Sequence, residues 1–359
     1  MNGIATLTAQ PDELLAGLWG RICAANGCDT GSLTLNGLQM VLELPRPSNM
    51  VPVVAGLLGC TPMEVIHRHT LHPVYRAFSA HVGTPRESEI LRVASQGRRS
   101  SIRRESSAMT CPACSAEDQK AGRGSYWRRS HHLPGVDWCL LHRVPLSRMT
   151  PDAYQWSPMA AMVMFGQTCR DVATIEPGSV LDRYAGLLDR WMHRTTAMPC
   201  EALNRVVQDG CSKHELRVGQ AGKRELVSDL AKRTVPRDWL ERHWPEILTK
   251  KHAQYVAKLD GVAKDRHVAY TGPSCALVLA VLFDSLEEID DRLAAAHAAI
   301  SQSKDPHDES LRAAIAAFKH GASLQQAGRA HGVTVGHLER WLRLLAQGTA
   351  ESASIVACA

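Results

Sequence analysis

Four potential metal ligands, arranged as two close pairs, constrain the fold of this 359-residue chain more than any other feature. Cys111 and Cys114 form the first pair, and Cys139 and His142 form the second. Two intervening residues let one tight turn present both members of a pair to the same ion, and thiolate and imidazole bind Zn²⁺ at about 2.0–2.3 Å. The spacer between the pairs is 24 residues long, which is ordinary for a zinc ribbon or a treble-clef-like site. The sequence therefore predicts a structural zinc ion; the alternative is four unrelated cysteines and histidines.

The composition is that of a globular protein in a reducing compartment. Hydrophobic residues make up 45% of the sequence and charged residues 21%, unlike a disordered chain. Residues 1–10 lack the basic and apolar segments of a signal peptide, and no stretch approaches 18 uninterrupted apolar residues. We therefore expect a cytoplasmic protein without a membrane span, in which paired cysteines bind metal and isolated cysteines are small buried side chains.

Positive charge is concentrated around the predicted zinc site. The net charge of the chain is only +5, but residues 92–148 contain eleven Lys and Arg against four Asp and Glu. Arg128 and Arg129 directly follow Tyr126 and Trp127, and arginines beside aromatic side chains are typical of nucleic-acid surfaces. This pattern predicts that Arg128 and Arg129 contact DNA. The alternative is that the tryptophans form the small core of the zinc module while the arginines are solvated or contact the rest of the protein.

Two adjacent histidines in the same loop, His131 and His132, allow two further interpretations. They could be alternative metal ligands, or one of them could be the general base of a zinc-supported nuclease of the HNH type. The nuclease chemistry also requires a following helix that carries Asn and His, and the sequence has no such pair. It also has neither a glycine-rich phosphate loop nor a cluster of Asp and Glu typical of a two-metal strand-transfer site. We therefore predict a protein that is not an enzyme.

The N-terminal region is predicted to be helical. Asp12 is placed to cap a helix from Glu13 to Ala25, and a second helix is expected near Val51 to Leu58. Thr61 and Glu64 then have the spacing of a capping box, with proline at the first helical position, so another helix should begin there. Helix, glycine-containing turn and helix predict a helix-turn-helix unit; the alternative is an ordinary helical hairpin.

Helical patterns also dominate residues 150–300. Apolar side chains recur at helical spacing from Leu181 to His193, and the apolar segment from Ser274 to Leu286 is predicted to be a buried helix. Lys223 to Leu240 indicates another helical unit. A second zinc site is left open as an alternative to solvated loops in this region, with candidate ligands Cys169, His193, Cys200, Cys211 and His214.

The C-terminal region has the pattern of three short helices. The first spans Leu311 to Phe318, a capping box at Ser323 opens the second, and the third runs from Val335 to Leu345. In a DNA-binding unit of this kind, the N-terminal residues of the last helix read the major groove. The predicted DNA-binding residues here are Thr334, Gly336, His337, Arg340 and Arg343, the last of them nearer a phosphate. The alternative is a three-helix module that binds protein.

One stretch resembles a known family. The sequence from Arg128 to Val136 reads Arg-Arg-Ser-His-His-Leu-Pro-Gly-Val, and Cys139-Leu-Leu-His142-Arg-Val-Pro145-Leu146 follows it. Together with Cys111-Pro-Ala-Cys114, this resembles the signature of the TniQ family and the related TnsD proteins, which select insertion targets for transposons. The resemblance covers about Pro11 to Met149. Unlike many relatives, the chain has no second zinc knuckle directly after the first.

The resemblance implies a function and its partners. It implies a target-site selector that takes part in DNA recombination by binding target DNA, or a guide complex that finds the DNA, and by recruiting an AAA+ ATPase of the TnsC type and the transposase. The alternative function is a zinc-containing transcription regulator that binds DNA. We expect a mostly α-helical fold, with helix-turn-helix units around a zinc-ribbon or knuckle module. The predicted domains are residues 1–82, helical; 83–149, zinc-binding; 150–300, helical; 301–346, a C-terminal helix-turn-helix; and 347–359, a disordered tail.

Overall fold

The computed structural model of the chain is mostly helical, as predicted. It describes residues 5, 7–30, 32–42, 50–79, 107–165, 168–169, 175–220, 222–264, 268–302 and 306–346. The predicted disordered tail and the arginine-rich segment before Cys111 lie outside these residues. No single described helix combines the length and the apolar character that a membrane crossing requires.

Among its described residues, the N-terminal region contains five helices. Their bounds are α1, Leu15–Ala25; α2, Ser32–Val41; α3, Met50–Leu58; α4, Pro62–His69; and α5, His72–Tyr75. The capping box at α4 is confirmed, because Thr61 Oγ1 accepts from the backbone of Glu64 and Glu64 accepts from the backbone of Thr61. Helix α2 was not predicted. Leu35 and Leu38 pack against the same core as α1 and α3, so α2 adds a layer to those two helices, which the sequence indicated.

The predicted cap of α1 is wrong. Helix α1 begins at Leu15, its N-cap residue is Leu14, and no side chain caps it. The Asp12 carboxylate instead accepts hydrogen bonds from Arg129 Nε at 3.0 Å and from both the backbone N and the Oγ of Ser130. Asp12 therefore pairs with the distant Arg129 and does not cap the nearby helix. Hydrogen bonds between charged groups are stronger than the hydrogen bond of a helix cap to a neutral amide.

Helix α1 approaches the following region closely through two glycines. A Cβ atom on Gly17 would lie 2.6 Å from Trp127 Cδ1, and one on Gly20 would lie 1.9 Å from the carbonyl oxygen of Tyr154. Backbone pairing reinforces this contact, because Leu14 N donates to the carbonyl of Trp127 at 2.7 Å and Arg129 N donates to that of Asp12 at 2.8 Å. The N-terminal helices are thus attached to the region that carries the predicted metal ligands.

The metal-ligand region is built on a small sheet. Strands β2 (Ala108–Thr110), β3 (Ser147–Met149) and β4 (Thr168–Cys169) form an antiparallel sheet in that order. Helices surround it: α6, Pro112–Lys120; a 3₁₀ helix, Arg129–His132; a second 3₁₀ helix, Pro151–Gln155; and α7, Pro158–Phe165. Strand β1 (Phe78–Ser79) pairs separately with β5 (Met198–Pro199), in parallel. The sheet joins residues on both sides of the ligands and fixes where their loop begins and ends.

The middle region contains eight helices among its described residues. They are α8, Val180–Met192; α9, Cys200–Lys213; α10, Val227–Thr234; α11, Arg237–His243; α12, Pro245–Thr249; α13, Ala257–Lys264; α14, Gly272–Leu282; and α15, Leu286–Gln302. The predicted apolar helix is confirmed as α14, although it ends at Leu282 and not at Leu286, and all eleven of its residues are buried. Helices α8, α9, α10 and α13 pack against it. Burial on every side explains why α14 is apolar around its full circumference.

Three helices at the C-terminus pack around their own small core. They are α16, Pro306–Lys319; α17, Leu324–His331; and α18, Val335–Ala346. The predicted capping box is confirmed at Ser323 and Gln326, and Gly332 ends α17 in the left-handed conformation with φ 68°. A Cβ on Gly328 would lie 2.5 Å from the Val333 carbonyl oxygen. Glycine at both positions therefore permits the tight turn between α17 and α18.

Candidate metal centre

The first ligand pair lies at the start of helix α6. Cys111 is the N-cap residue, Pro112 follows at the first helical position, and Cys114 lies in the first turn. Proline is suited to this position because the first amide of a helix has no partner within the helix. Both thiols are buried.

The second pair lies in a tight turn after the spacer. Cys139 N donates to the carbonyl of Val144 at 2.8 Å, and a β-bridge joins Trp138 to Pro145 at the base of the turn. Arg143 adopts a left-handed conformation with φ 57° inside it. The turn places Cys139 and His142 opposite the start of α6.

The four predicted ligands converge on one point. Their ligand atoms all lie within 4.8 Å of one another. His142 Nδ1 lies 3.3 Å from Cys114 Sγ and 3.6 Å from the Sγ atoms of Cys111 and Cys139, and the Sγ atoms of Cys114 and Cys139 are 3.6 Å apart. Tetrahedral zinc with ordinary bond lengths separates its ligand atoms by about 3.5–3.8 Å. The donor set and its spacing fit a four-coordinate metal ion with no position left for a substrate.

Further groups support the ligands. Glu117 Oε1 lies 2.9 Å from His142 Nε2, so this carboxylate can hold the imidazole with Nδ1 facing the metal, an arrangement common around bound zinc. Hydrogen bonds from Cys111 and Cys114 lower the pKa of Cys139 well below its usual value, with smaller contributions from His131 and the backbone of His142. Glu117 was not predicted from the sequence, although its position three residues after Cys114 puts it on the same face of α6.

The comparison with known families agrees with this geometry. Residues 5–146 match the TniQ family model. These residues form a TniQ domain. The match includes all four ligands of the candidate metal centre and extends to the N-terminal helices that pack against it, and the domain points to a role in transposition. No curated protein matches the chain.

The signature loop of the TniQ domain packs against the helices that follow the domain. Tyr184 Oη donates to the carbonyl of Pro134 at 2.7 Å, and Trp239 Nε1 donates to that of Gly135 at 2.7 Å. Gly135 has φ 74°, and a Cβ there would lie 2.9 Å from the Trp239 ring. Glycine is therefore required both by the backbone conformation and by the close approach of the indole.

Asp137, which follows this loop, also contacts the middle helices. Asp137 Oδ2 accepts from His243 Nε2 at 3.0 Å, and Arg148 and Arg242 lie beside the same carboxylate. Burial opposes ionisation of Asp137, but the hydrogen bond from His243 and the two arginines lower its pKa to about 2. The TniQ signature thus contributes to the interface with the middle region as well as to the metal centre.

Consecutive residues of the TniQ domain belong to different cores. Trp138 is buried in the large hydrophobic cluster of the middle helices, together with Leu133 and Val136. Cys139 is buried in the small cluster that contains Cys111, Cys114 and Leu146. One peptide bond therefore joins the metal centre to the core of the middle region.

The two arginines predicted to contact DNA are engaged in protein contacts. Arg129 is 3% exposed; besides Asp12, it donates to the carbonyls of His67 at 2.6 Å and Thr70 at 3.2 Å. Arg128 donates to Asp118 Oδ1 at 2.7 Å and lies over the Tyr126 ring at 4.4 Å. This geometry supports the alternative in which the arginines contact the rest of the protein, and phosphate contacts by Arg128 and Arg129 are not supported. The sequence did not indicate that Asp12 and Asp118 would be their partners.

The two histidines of the TniQ signature are both buried. His132 uses both ring nitrogens: Nε2 accepts from Met109 N at 3.0 Å, and Nδ1 lies 2.8 Å from the carbonyl of Arg128. Burial lowers its pKa to about 3, so the ring is neutral. His131 Nε2 lies 3.9 Å from Cys139 Sγ, and neither histidine belongs to the four-ligand cluster. These positions do not favour a general base.

A second metal cluster was not found among the described side chains outside the TniQ domain. Cys200 and Cys211 lie at opposite ends of helix α9, about 16 Å apart along its axis, and His214 Nε2 binds the carbonyl of Leu282 at 2.9 Å. Cys169 lies in β4, and its side chain is outside the described part of the chain. The structure therefore does not support the alternative of a metal site shared by Cys200, Cys211 and His214.

The remaining predicted DNA-binding residues lie at the start of α18 or just before it. Thr334 and Gly336 are exposed, and Leu338 is buried in the C-terminal core. The side chains at positions 337, 340 and 343 lie outside the described part of the chain. Because an α-helix turns by about 100° per residue, positions 336, 340 and 343 lie on the side of α18 opposite Leu338.

Proposed function

We propose that this protein is a non-enzymatic target-site selector of a transposon. The observation that carries the proposal is the TniQ domain over residues 5–146. In this function the protein makes and breaks no bonds of the DNA. It binds the target and presents it to the proteins that insert the transposon.

We propose that the metal in the Cys111, Cys114, Cys139 and His142 cluster is zinc. Three thiolates and one imidazole are a donor set that zinc takes in structural sites, and the cluster has the corresponding spacing. When bound, the ion would hold the turn at Cys139 against the start of α6. Its role is to stabilise the TniQ domain, because all four coordination positions are filled by protein atoms.

We propose that target DNA is bound by the three C-terminal helices. The short turn between α17 and α18, shaped by Gly328 and Gly332, supports a helix-turn-helix unit with α18 as its recognition helix. Thr334, Gly336, His337 and Arg340 would face the DNA, and Arg343 would lie nearer a phosphate. The burial of Arg129 and the ion pair of Arg128 direct the DNA proposal to this unit and away from the metal centre.

The proposed protein partners follow from the same function. A target selector must pass its information to an AAA+ regulator of the TnsC type and to the transposase, and it finds its target directly or through a guide-RNA complex. The proposed C-terminal DNA contacts favour direct reading. A transcription regulator remains the second candidate, because its metal centre and C-terminal helices would look the same.

One experiment separates the two candidates. The purified full-length chain is incubated with fragmented DNA, alone and with an AAA+ regulator of the TnsC type, and the retained fragments are sequenced. A target selector should retain specific fragments and should hold the ATPase on them. Specific DNA that is retained without any binding of the ATPase would favour the transcription regulator. No specific DNA under either condition would contradict direct reading and would point to a guide complex.

A further inference from the structure

His131 occupies an unusual position beside the candidate metal centre. It lies in the 3₁₀ helix Arg129–His132 and is 2% exposed. Its Nε2 lies 3.9 Å from Cys139 Sγ, within the range of an N–H···S hydrogen bond. Its Nδ1 is buried and has no hydrogen-bond partner among the described residues. Buried polar atoms are normally paired, so this orientation of the ring requires a reason.

The backbone contacts that fix the neighbouring histidine do not explain the orientation of His131. His132 is fixed by hydrogen bonds at both ring nitrogens, to Met109 N and to the carbonyl of Arg128. His131 makes neither of these contacts, although it belongs to the same turn. Among the residues that the structure describes, its ring makes a single polar contact, with the thiol of Cys139.

The negative charge of the metal centre explains the orientation of the His131 ring. Three thiolates and a divalent ion carry a net charge of −1, and the cysteine sulfurs lie at positions that are 0–3% exposed. A buried charge is costly unless hydrogen bonds compensate it, and hydrogen bonds to a charged acceptor are about twice as strong as neutral ones. Cys139 accepts one such bond from the backbone of His142 at 3.4 Å. An N–H at Nε2 of His131 would provide a second.

We propose that His131 is a positioning residue of the metal centre, which donates a hydrogen bond from Nε2 to the metal-bound thiolate of Cys139. The bond stabilises the negative charge of the site and orients the sulfur toward the ion. This arrangement explains why Nδ1 has no partner within the described part of the chain, because the ring orientation that directs Nε2 to the thiolate leaves Nδ1 facing away from hydrogen-bonding groups there. The inference rests on the zinc site proposed above and assigns a role to a residue outside the four ligands.

The test compares three substitutions in the full-length chain. In His131→Gln, the side-chain amide can place an N–H near the position of Nε2. In His131→Asn, the amide is shorter and cannot reach the sulfur, and His131→Leu fills the space without a donor. Zinc affinity is measured by competition with a chelator, and the thiolate-to-metal absorption band is recorded after replacement of zinc by cobalt.

The expected result separates hydrogen bonding from packing. Loss of a supporting hydrogen bond at a metal site typically lowers affinity by about 10- to 100-fold, so His131→Leu and His131→Asn should bind zinc at least about tenfold more weakly and shift the cobalt band. His131→Gln should retain most of the affinity and the wild-type spectrum. If His131→Leu does not fold, the pair of Gln and Asn variants still decides the question.

Three results would overturn the proposal. Wild-type affinity and spectrum in the Leu and Asn variants would exclude a role for the imidazole. Equal losses in the Gln, Asn and Leu variants would assign His131 to packing alone. A wild-type chain that binds no zinc would overturn the zinc proposal and this one together, and the wild-type measurement identifies that case before any variant is compared.

Discussion

Asp12 and Arg129 lie 117 residues apart in the sequence and form an ion pair in which Asp12 Oδ1 is 3.0 Å from Arg129 Nε. The Arg129 side chain is almost completely buried, and its other donors reach carbonyl groups at the end of α4. The pair therefore joins three parts of the TniQ domain: the segment before α1, the signature turn and the end of α4. Arginine suits this position because its planar guanidinium can donate in several directions at once.

Asp12→Ala should lower the free energy of unfolding by about 3 kcal/mol, because loss of one partner leaves a buried charge uncompensated. Denaturant unfolding of the full-length chain measures the change. Arg237→Ala is the matched control: its pair with Glu241 is largely exposed, so its loss should cost less than about 1 kcal/mol. Equal effects of the two substitutions would contradict the role given to Asp12.

Gly20→Ala should destabilise the contact between α1 and the second 3₁₀ helix. The added methyl group would lie 1.9 Å from the carbonyl oxygen of Tyr154, and overpacking of this kind costs about 1–3 kcal/mol. Gly37→Ala in α2 is the control, because nothing lies within 4 Å of its Cβ position. That substitution should stabilise the chain by about 0.5–1 kcal/mol through helix propensity. Thermal unfolding that moves in the same direction for both variants would argue against the close approach.

Cys111→Ser should remove one bound zinc ion per chain and lower the melting temperature of the TniQ domain. The serine hydroxyl is a poor zinc ligand, so three donors of the cluster would remain. Metal analysis of the purified protein measures the loss. Cys28→Ser provides the control, because Cys28 is exposed and is absent from the cluster. Unchanged zinc content in Cys111→Ser would exclude the four-ligand assignment.

His72→Gln should make stability less sensitive to acid. Burial lowers the pKa of His72 from 6.5 to about 4, so the unfolded chain binds a proton before the folded chain does. The stability present above pH 6.5 is therefore lost as the pH falls toward 4, and a single such group accounts for about 3 kcal/mol.

The measurement is the difference between wild type and His72→Gln in urea unfolding at several pH values. Other titrating groups, including the metal ligands, are common to both proteins and cancel in the difference. Parallel curves for wild type and His72→Gln would show that His72 is protonated equally in the folded and unfolded states.

Arg340→Ala should weaken DNA binding if α18 is the recognition helix. A lost phosphate contact should reduce the slope of log affinity against log salt by roughly one, whereas a lost base contact should relax the preference at one position. Binding at several salt concentrations distinguishes these outcomes. Arg237→Ala, in the middle region, should bind DNA as wild type does. Unchanged affinity in Arg340→Ala at every salt concentration would favour a protein-binding role for the C-terminal helices.

Features that depend on neighbouring residues were predictable from the sequence. The capping boxes at Thr61 and Ser323 were predicted correctly because each is completed within four residues. The candidate metal ligands were predictable because only two residues separate the members of each pair. That the two pairs lie next to each other could be seen only in the folded chain. The apolar helix α14 was recognisable because burial on all sides leaves a continuous apolar run.

Features that depend on distant partners were not predictable. Arg128 and Arg129 resemble a phosphate-binding pair when only the local sequence is considered, and their carboxylate partners become visible only in the folded chain. Asp12 failed as a helix cap for the same reason. Cys200 and Cys211 illustrate the converse: as separate sequence positions they suggested one site, but a single helix holds them apart.

The adjacency of Trp138 and Cys139 has a consequence for synthesis of the chain. Once His142 has been made, all four metal ligands exist, so the metal centre can close early. The neighbouring indole and the Leu133 and Val136 side chains lie in a cluster whose residues come mostly from helices that are translated later. A fragment that ends with the TniQ match at residue 146 would therefore contain all four candidate ligands yet expose an apolar loop. The stretch that matches the TniQ family model is shorter than the stretch that packs together in the folded chain.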